Sequence, residues 1–281
     1  MLGGVVGLEG GAAVAATIIP GAGIVGTVML RVGFGTLGLI PLGRPRRRRL
    51  DRRAVLLVIA VGTLLAAHHL LFYTAIHRLP LGVAVTCEFV APLAFALASS
   101  QRRVDALWAL LAAAGVAAAA GLTSDGPVSA VGIGAGLGAG ACWAGYIIVF
   151  PHLAAGPGRS SGLTLATGWA ALITLPLWLA TGPGRVFTPR ILLLGAVVAL
   201  LSDVISYSLQ SEALRRIPGR LFSILASTEP AVGALFGLVA LGQRVSPLQW
   251  AGMLAVVAAS IGATSTRPGD ASTRPQSPDM S

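Results

Sequence analysis

The chain repeats itself. Residues 75–80 read A-I-H-R-L-P, followed by E-F-V-A-P at 88–92, Q-R-R-V at 101–104 and Trp108. Residues 213–218 read A-L-R-R-I-P, followed by T-E-P at 228–230, Q-R-V at 243–245 and Trp250. Pro80 and Pro92 stand at the same spacing as Pro218 and Pro230, and the two Trp pair after a four-residue insertion. Each copy is an apolar unit with a carboxylate inside it. A fold made from two such copies has two related halves, with its site between them near the middle of the bilayer.

The surrounding composition sends both copies into a membrane. Hydrophobic residues make up 55% of the chain and charged residues 11%, and the mean hydropathy is +0.82. Soluble domains carry roughly 25% charged residues. About 20 apolar residues cross the hydrocarbon core as a helix, and a helix satisfies its own backbone groups there. The pattern predicts an all-α, polytopic membrane protein with ten transmembrane helices. The spans fall near 2–19, 24–42, 54–76, 80–99, 104–122, 130–150, 162–181, 190–212, 219–241 and 246–264. The first has no basic front, and Glu9 interrupts it. It therefore reads as a retained helix rather than a signal peptide.

Five spans per half is an odd number, so the second half enters with the opposite orientation. The expected architecture is a 5+5 inverted repeat. Residues 1–122 form the first repeat, 123–129 the junction, 130–264 the second repeat and 265–281 a polar, Pro-rich disordered tail.

Charge sets the orientation. All twenty basic residues are Arg, seven of them within 44–53. Arg102, Arg103, Arg215, Arg216 and Arg220 lie in loops on the same expected side, while the opposite loops hold Arg78, Arg185, Arg190 and Arg244. Basic loops face the cytoplasm, which puts both termini inside. The net charge of +10 is thus a topology signal, and no nucleic-acid partner is expected.

Ionisable residues within spans are costly and mark function by default. The candidates are Glu9, Arg31, His68, His69, Glu88, Asp203 and Glu229. Glu88 lies about 10 Å below the outer boundary and Glu229 about 13 Å above the inner one, at 1.5 Å per residue. The two approach the midplane from opposite faces. A carboxyl in an apolar wall can trade a proton against a cationic ammonium group, or simply hydrogen-bond a neighbouring helix. Pro92 and Pro230 stand beside these carboxylates, where a kink would shape a cavity wall. Adjacent His68 and His69 point about 100° apart on a helix, so one of them is expected to face the interior and bond substrate or relay a proton. Asp203 and Tyr207 are one turn apart and share a face. Glu9 and Arg31 could pair, or Arg31 could hold a substrate carboxylate. Glu212 suits a solvated pair with Arg215 or Arg216. Gly132, Gly136 and Gly140 read as a close-packing stripe.

Other chemistry finds little support. Cys87 and Cys142 have no zinc spacing, and no HExxH motif accompanies the His pair. No GxSxG, Walker A or intramembrane Gly-x-Gly-Asp motif occurs, so neither an enzyme, a cofactor nor a metal site is expected.

Several segments carry a family resemblance: L-F-Y-T-A-I at 71–76, P-L-G-V-A-V-T-C-E-F-V-A-P-L-A at 80–94, G-A-G-A-C-W-A-G-Y-I at 138–147, Y-S-L-Q-S-E-A-L-R-R-I-P at 207–218 and S-T-E-P-A-V-G-A-L at 227–235. Over residues 7–264 the chain resembles the EamA-type branch of the drug/metabolite transporter superfamily, in its threonine/homoserine exporter group. The resemblance implies two EamA repeats around a central cavity in the bacterial inner membrane. It implies export of small amino acids or related metabolites, with protons as coupling ion, and it leaves a homodimer open. It carries Glu88, Glu229 and Arg31 over as matching positions. The chain departs from the family at Thr17, where a Lys is frequent, at His69 for Asn, at Gln210 for Glu, at Ser206 for Pro, and at Asp203 for a small neutral residue. The expected mechanism is alternating access, with Glu88 and Glu229 exchanging protons and Arg31, His69 and Tyr207 lining the substrate path. Efflux of another metabolite or drug, and a passive channel, are the alternatives.

Overall fold

The computed structural model describes residues 1–43, 51–98, 103–119, 129–154, 161–182, 187–217 and 219–265. The expectations for the basic run at 44–50, for Arg102, for most of the 123–129 junction, for Arg185, for Pro218 and for the tail beyond Ser265 lie outside these residues. The described chain is helical, with no strand in it. Its elements are α1 (Leu2–Gly43), α2 (Arg52–Arg78), α3 (Leu81–Ala98), α4 (Arg103–Ala119), α5 (Ala130–Ala154), α6 (Gly162–Thr181), α7 (Pro189–Ala199), a π-helical segment (Leu200–Ile205), α8 (Ser206–Arg216), α9 (Gly219–Ala226), α10 (Glu229–Leu241) and α11 (Pro247–Ser265).

Five stretches are long and apolar enough to cross a membrane: Leu2–Pro41, Arg52–Arg78, Ala130–Ala154, Gly162–Thr181 and Pro189–Gln210. Shorter apolar helices cover Leu81–Ala94, Ala106–Ala119, Glu229–Leu241 and Pro247–Ala263. Large apolar side chains such as Leu107, Leu110, Leu193 and Val239 stand exposed on the outside. On a protein in water that surface would be a liability; in lipid it is solvated.

The longest stretch is two helices. Gly23, at φ 73° and ψ 167°, breaks α1, in a region of backbone space that is essentially glycine's alone. Gly11 faces Ser202 and Gly21 faces Ile191, so the first limb runs antiparallel to α7 and the π segment. Leu30 faces Gly195 and Gly35 faces Asp203, so the second limb runs back parallel to them. A single glycine thus turns the chain round where the sequence predicts a short gap between spans one and two.

Local signals set other ends. Asp51 caps α2 by accepting from Ala54 N at 2.7 Å, and Thr188 with Pro189 at the first helical position opens α7. Gly242, in the left-handed region, closes α10.

Two predicted spans are interrupted. The span expected over 190–212 carries the π turn at 200–205. Ser206 N–H donates to Leu201 O there, five residues back. The span expected over 219–241 breaks at Ser227 and Thr228, three residues short of Pro230, because proline cannot donate to the preceding turn and crowds it. Its counterpart Pro92 sits inside an unbroken α3.

Close packing follows the small residues, as it must where lipid removes the hydrophobic drive between helices. Gly132 meets Leu79, Gly136 meets Cys87, and Gly140 lies against the backbone of Glu88. The predicted stripe therefore seats α5 on α2 and α3. Gly115 and Gly252 bring α4 and α11 together in the same way. Helix α2 packs on α5 and α6, the α1 hairpin on α6, α7 and α10, and α3 on α5 and α10.

Candidate functional site

A cavity opens among helices from both ends of the chain. Its internal volume is about 50 Å³, enough for a few water molecules in this conformation. The first half contributes Glu9 and Arg31 from α1, His68 and His69 from α2, and Glu88 from α3. The second contributes Trp143 from α5, Ser202 from the π segment, Tyr207 and Gln210 from α8, and Glu229 from α10. Among the described residues α4, α6, α7, α9 and α11 supply none of the lining.

Five of the six residues expected to carry function therefore line one space: Glu88, Glu229, Arg31, His69 and Tyr207. Asp203 is buried just behind it, bonded to Arg31. Arg31 donates to Asp203 Oδ1 from Nε at 3.1 Å and from Nη2 at 2.9 Å. Its Nη1 reaches the Tyr73 hydroxyl at 3.4 Å, and the guanidinium lies 5.9 Å from the Tyr73 ring centroid. The π turn carries Asp203 at this point, and such widened turns recur at functional sites.

This geometry corrects the alternative of a Glu9–Arg31 pair. Glu9 is 2% exposed, and its Oε2 takes no hydrogen bond among the described residues. It lies against Gly233 of α10 instead. The reason is position: the π segment sits directly between the two limbs of α1 and presents Asp203 to Arg31 first.

Both adjacent histidines are buried and both face the cavity, against the expectation that one would. His68 Nε2 lies 2.6 Å from Glu88 Oε1, and His68 Nδ1 lies 2.9 Å from His69 Nδ1. The ring of His68 is held between Phe72, stacked at 6.0 Å, and Trp143 at 5.4 Å. Trp143, Tyr146 and Phe150 then stack in turn along α5 at 4.9 Å. Sequence reasoning missed this aromatic wall, although its three members are spaced for one helical face.

The charge inventory is lopsided. Arg31 is neutralised by Asp203, leaving Glu9, Glu88 and Glu229 around the remaining space. The Glu9 and Glu229 carboxyls lie within electrostatic reach of one another and of Glu88. At the rim of the fold, Arg216 Nε donates to Glu212 Oε1 at 2.6 Å in solvent, the surface pair expected there. Among the described residues no group of His, Cys, Asp and Glu could hold a metal.

A helical fold with an apolar exterior, and a cavity lined by Glu9, Glu88 and Glu229 from helices far apart in the chain, is the frame of a multi-pass membrane transporter. Comparisons with known proteins agree. The model of the EamA-like transporter family matches residues 130–265. The threonine/homoserine exporter RhtA of Escherichia coli strain K12 is 38% identical over 260 residues, 92% of this chain and 88% of that protein. The exporter of the same name from Salmonella typhimurium strain LT2 matches to the same extent. A crystal structure sharing 17% identity superposes with a TM-score of 0.57, covering 94% of this chain and 96% of that one; at that identity it shows the fold alone. The chain belongs to the EamA-like transporter family, in the threonine/homoserine exporter group of the drug/metabolite transporter superfamily.

Proposed function

We propose that the protein exports small amino acids or related metabolites, threonine- or homoserine-like, across the bacterial inner membrane in exchange for protons. The cavity carries the reading: both halves place carboxylates on one enclosed space. Its walls move when the halves rock, and Glu88 and Glu229 can take up a proton on one side and give it up on the other. The curated relatives named as threonine/homoserine exporters support the substrate class.

In this reading the fold is a 5+5 inverted repeat of ten crossings with cytoplasmic termini. Two observations support it. The α1 hairpin supplies two crossings, and the α7–α8 and α9–α10 pairs each supply one. The packing also maps onto itself when the halves are exchanged: α2 on α5 answers to α7 on the first limb of α1, and α3 on α5 answers to α10 on α1.

A second reading within transport is favoured by one contact. Because Asp203 already occupies Arg31, a substrate without a carboxylate, such as an amine or an amphipathic cation, needs no displacement of that pair.

The test is uptake into inside-out vesicles with an acidic lumen. Wild type is expected to accumulate labelled threonine or homoserine, and Glu88→Gln to abolish the dependence on the gradient. Uptake that survives Glu88→Gln unchanged removes Glu88 from the mechanism. Competition by amines but not by amino acids selects the second reading.

A further inference from the structure

The contacts of His68 impose a constraint on His69. A neutral imidazole has one N–H and one bare nitrogen. Between His68 Nδ1 and His69 Nδ1, at 2.9 Å, one nitrogen must donate and the other accept. At its other edge His68 Nε2 meets Glu88 Oε1 at 2.6 Å.

Two proton counts satisfy these contacts differently. With Glu88 ionised and His68 neutral, His68 donates from Nε2 to the carboxylate and its Nδ1 is bare. His69 must then donate from Nδ1, so His69 Nε2 is a bare acceptor. With one more proton on the Glu88–His68 pair, His68 Nδ1 carries hydrogen. This holds for an imidazolium beside a carboxylate, and equally for a neutral His68 receiving the carboxylic acid's hydrogen at Nε2. His69 Nδ1 must now accept, and its own hydrogen sits on Nε2. The proton balance is simple. A proton from cavity water binds His69 Nε2, and the Nδ1 hydrogen of His69 passes to His68 Nδ1. The same steps reversed release it.

We infer that the Glu88–His68–His69 chain couples proton binding to substrate release by inverting the hydrogen-bond polarity of His69 Nε2. This rests on the exporter reading above and names its coupling element. His69 Nε2 takes no hydrogen bond from any described residue, and its ring lines the cavity. When the pair is deprotonated, this atom accepts from a substrate ammonium, which has hydrogens to give and no lone pair to offer. When the pair is protonated, it presents a hydrogen to that same donor and expels it. Proton and substrate then exclude each other, as exchange requires. Around the chain stand Glu9 and Arg31 on α1, Tyr146 on α5, Asp203 on the π segment, Tyr207 on α8 and Glu229 on α10. None of them touches the His68–His69 contact, so none alters its logic.

The experiment is ring-nitrogen NMR of the full chain in nanodiscs, labelled with 15N-histidine and scanned in pH without substrate. The chain has four histidines, and His77→Gln and His152→Gln assign two of the signals. Wild type is expected to show His69 with hydrogen on Nδ1 at alkaline pH and on Nε2 at lower pH, changing at the same midpoint as His68. In His68→Phe the concerted change is lost. A His69 that holds its hydrogen on Nε2 at alkaline pH, or that titrates apart from His68, overturns the inference in the wild-type protein alone. Vesicle transport supplies the second readout. The ratio of gradient-driven accumulation to counterflow of labelled threonine is expected to fall at least about tenfold in His68→Phe, within the range of coupling between two ligands; an unchanged ratio overturns the inference. Wild type that inverts in the NMR experiment but moves neither threonine nor homoserine would instead defeat the exporter reading and leave the inversion standing.

Discussion

Arg31 sets two N–H groups on one oxygen of Asp203, 172 positions away in sequence, and leaves Asp203 Oδ2 without a hydrogen bond among the described residues. The pair joins the α1 hairpin to the π segment at the wall of the cavity. Removing one partner of a buried pair strands the other's charge and costs about 3–5 kcal/mol, whereas replacing both with apolar groups is often nearly neutral. Asp203→Ala is therefore expected to unfold at a markedly lower temperature in detergent, and Arg31→Met with Asp203→Leu to recover most of the loss. A double variant as unstable as the single one would show that the charges themselves hold the hairpin.

The stripe on α5 offers a matched pair of substitutions. A Cβ at Gly140 would overlap the Glu88 carbonyl, while a Cβ at Gly134 would meet nothing within 4 Å. Overpacking of this kind costs about 1–3 kcal/mol. Exchanging an open helical glycine for alanine gains up to about 1 kcal/mol. Gly140→Ala is expected to lower the melting temperature and impair transport, because Glu88 is on the displaced strand of contacts. Gly134→Ala is expected to raise the melting temperature or leave it unchanged. Equal behaviour of the two would place α5 differently against α3.

Much of this fold was legible in the residues because a lipid-spanning helix announces itself by length and apolarity. The α5 stripe was legible for a related reason: glycines four apart have one use between helices. That Glu88, Glu229, Arg31, His69 and Tyr207 would gather was legible as a set, since ionisable groups in spans are rare. The partnerships were not. Arg31 could have met Glu9, and only the placing of the π segment between the two limbs gives it Asp203. Nothing in L-L-S-D-V-I marks a π turn. His68 looked like the redundant half of a pair because the sequence shows their angle on α2 but not that α3 and α5 close over both.

Gly23 turns the chain without any polar loop, and its backbone angles lie where other residues are rarely found. Nothing lies within 4 Å of a Cβ built there, so the cost of a side chain is conformational alone, about 1–3 kcal/mol. Gly23→Ala is expected to destabilise by that amount in thermal unfolding, with no local clash to relieve. A neutral outcome would mean that the two limbs meet through a different turn.

The proposed inverted repeat makes a claim about sidedness that the ends of α2 and α8 can test. His77 and Arg216 lie within the first and second copies of the A-x-x-R-x-P segment, one residue out of register, and both are exposed. In a background with Cys87→Ala and Cys142→Ala, His77→Cys is expected to react with an impermeant maleimide from outside the cell. Arg216→Cys is expected to react only after the membrane is opened. The reasoning is parity: in the proposed ten-crossing fold five crossings separate the copies, so equivalent ends emerge on opposite faces. Labelling of both from one face would require an even number of crossings between them. The two halves could not then be inverted images, and Glu88 and Glu229 would no longer approach the cavity from opposite sides of the membrane.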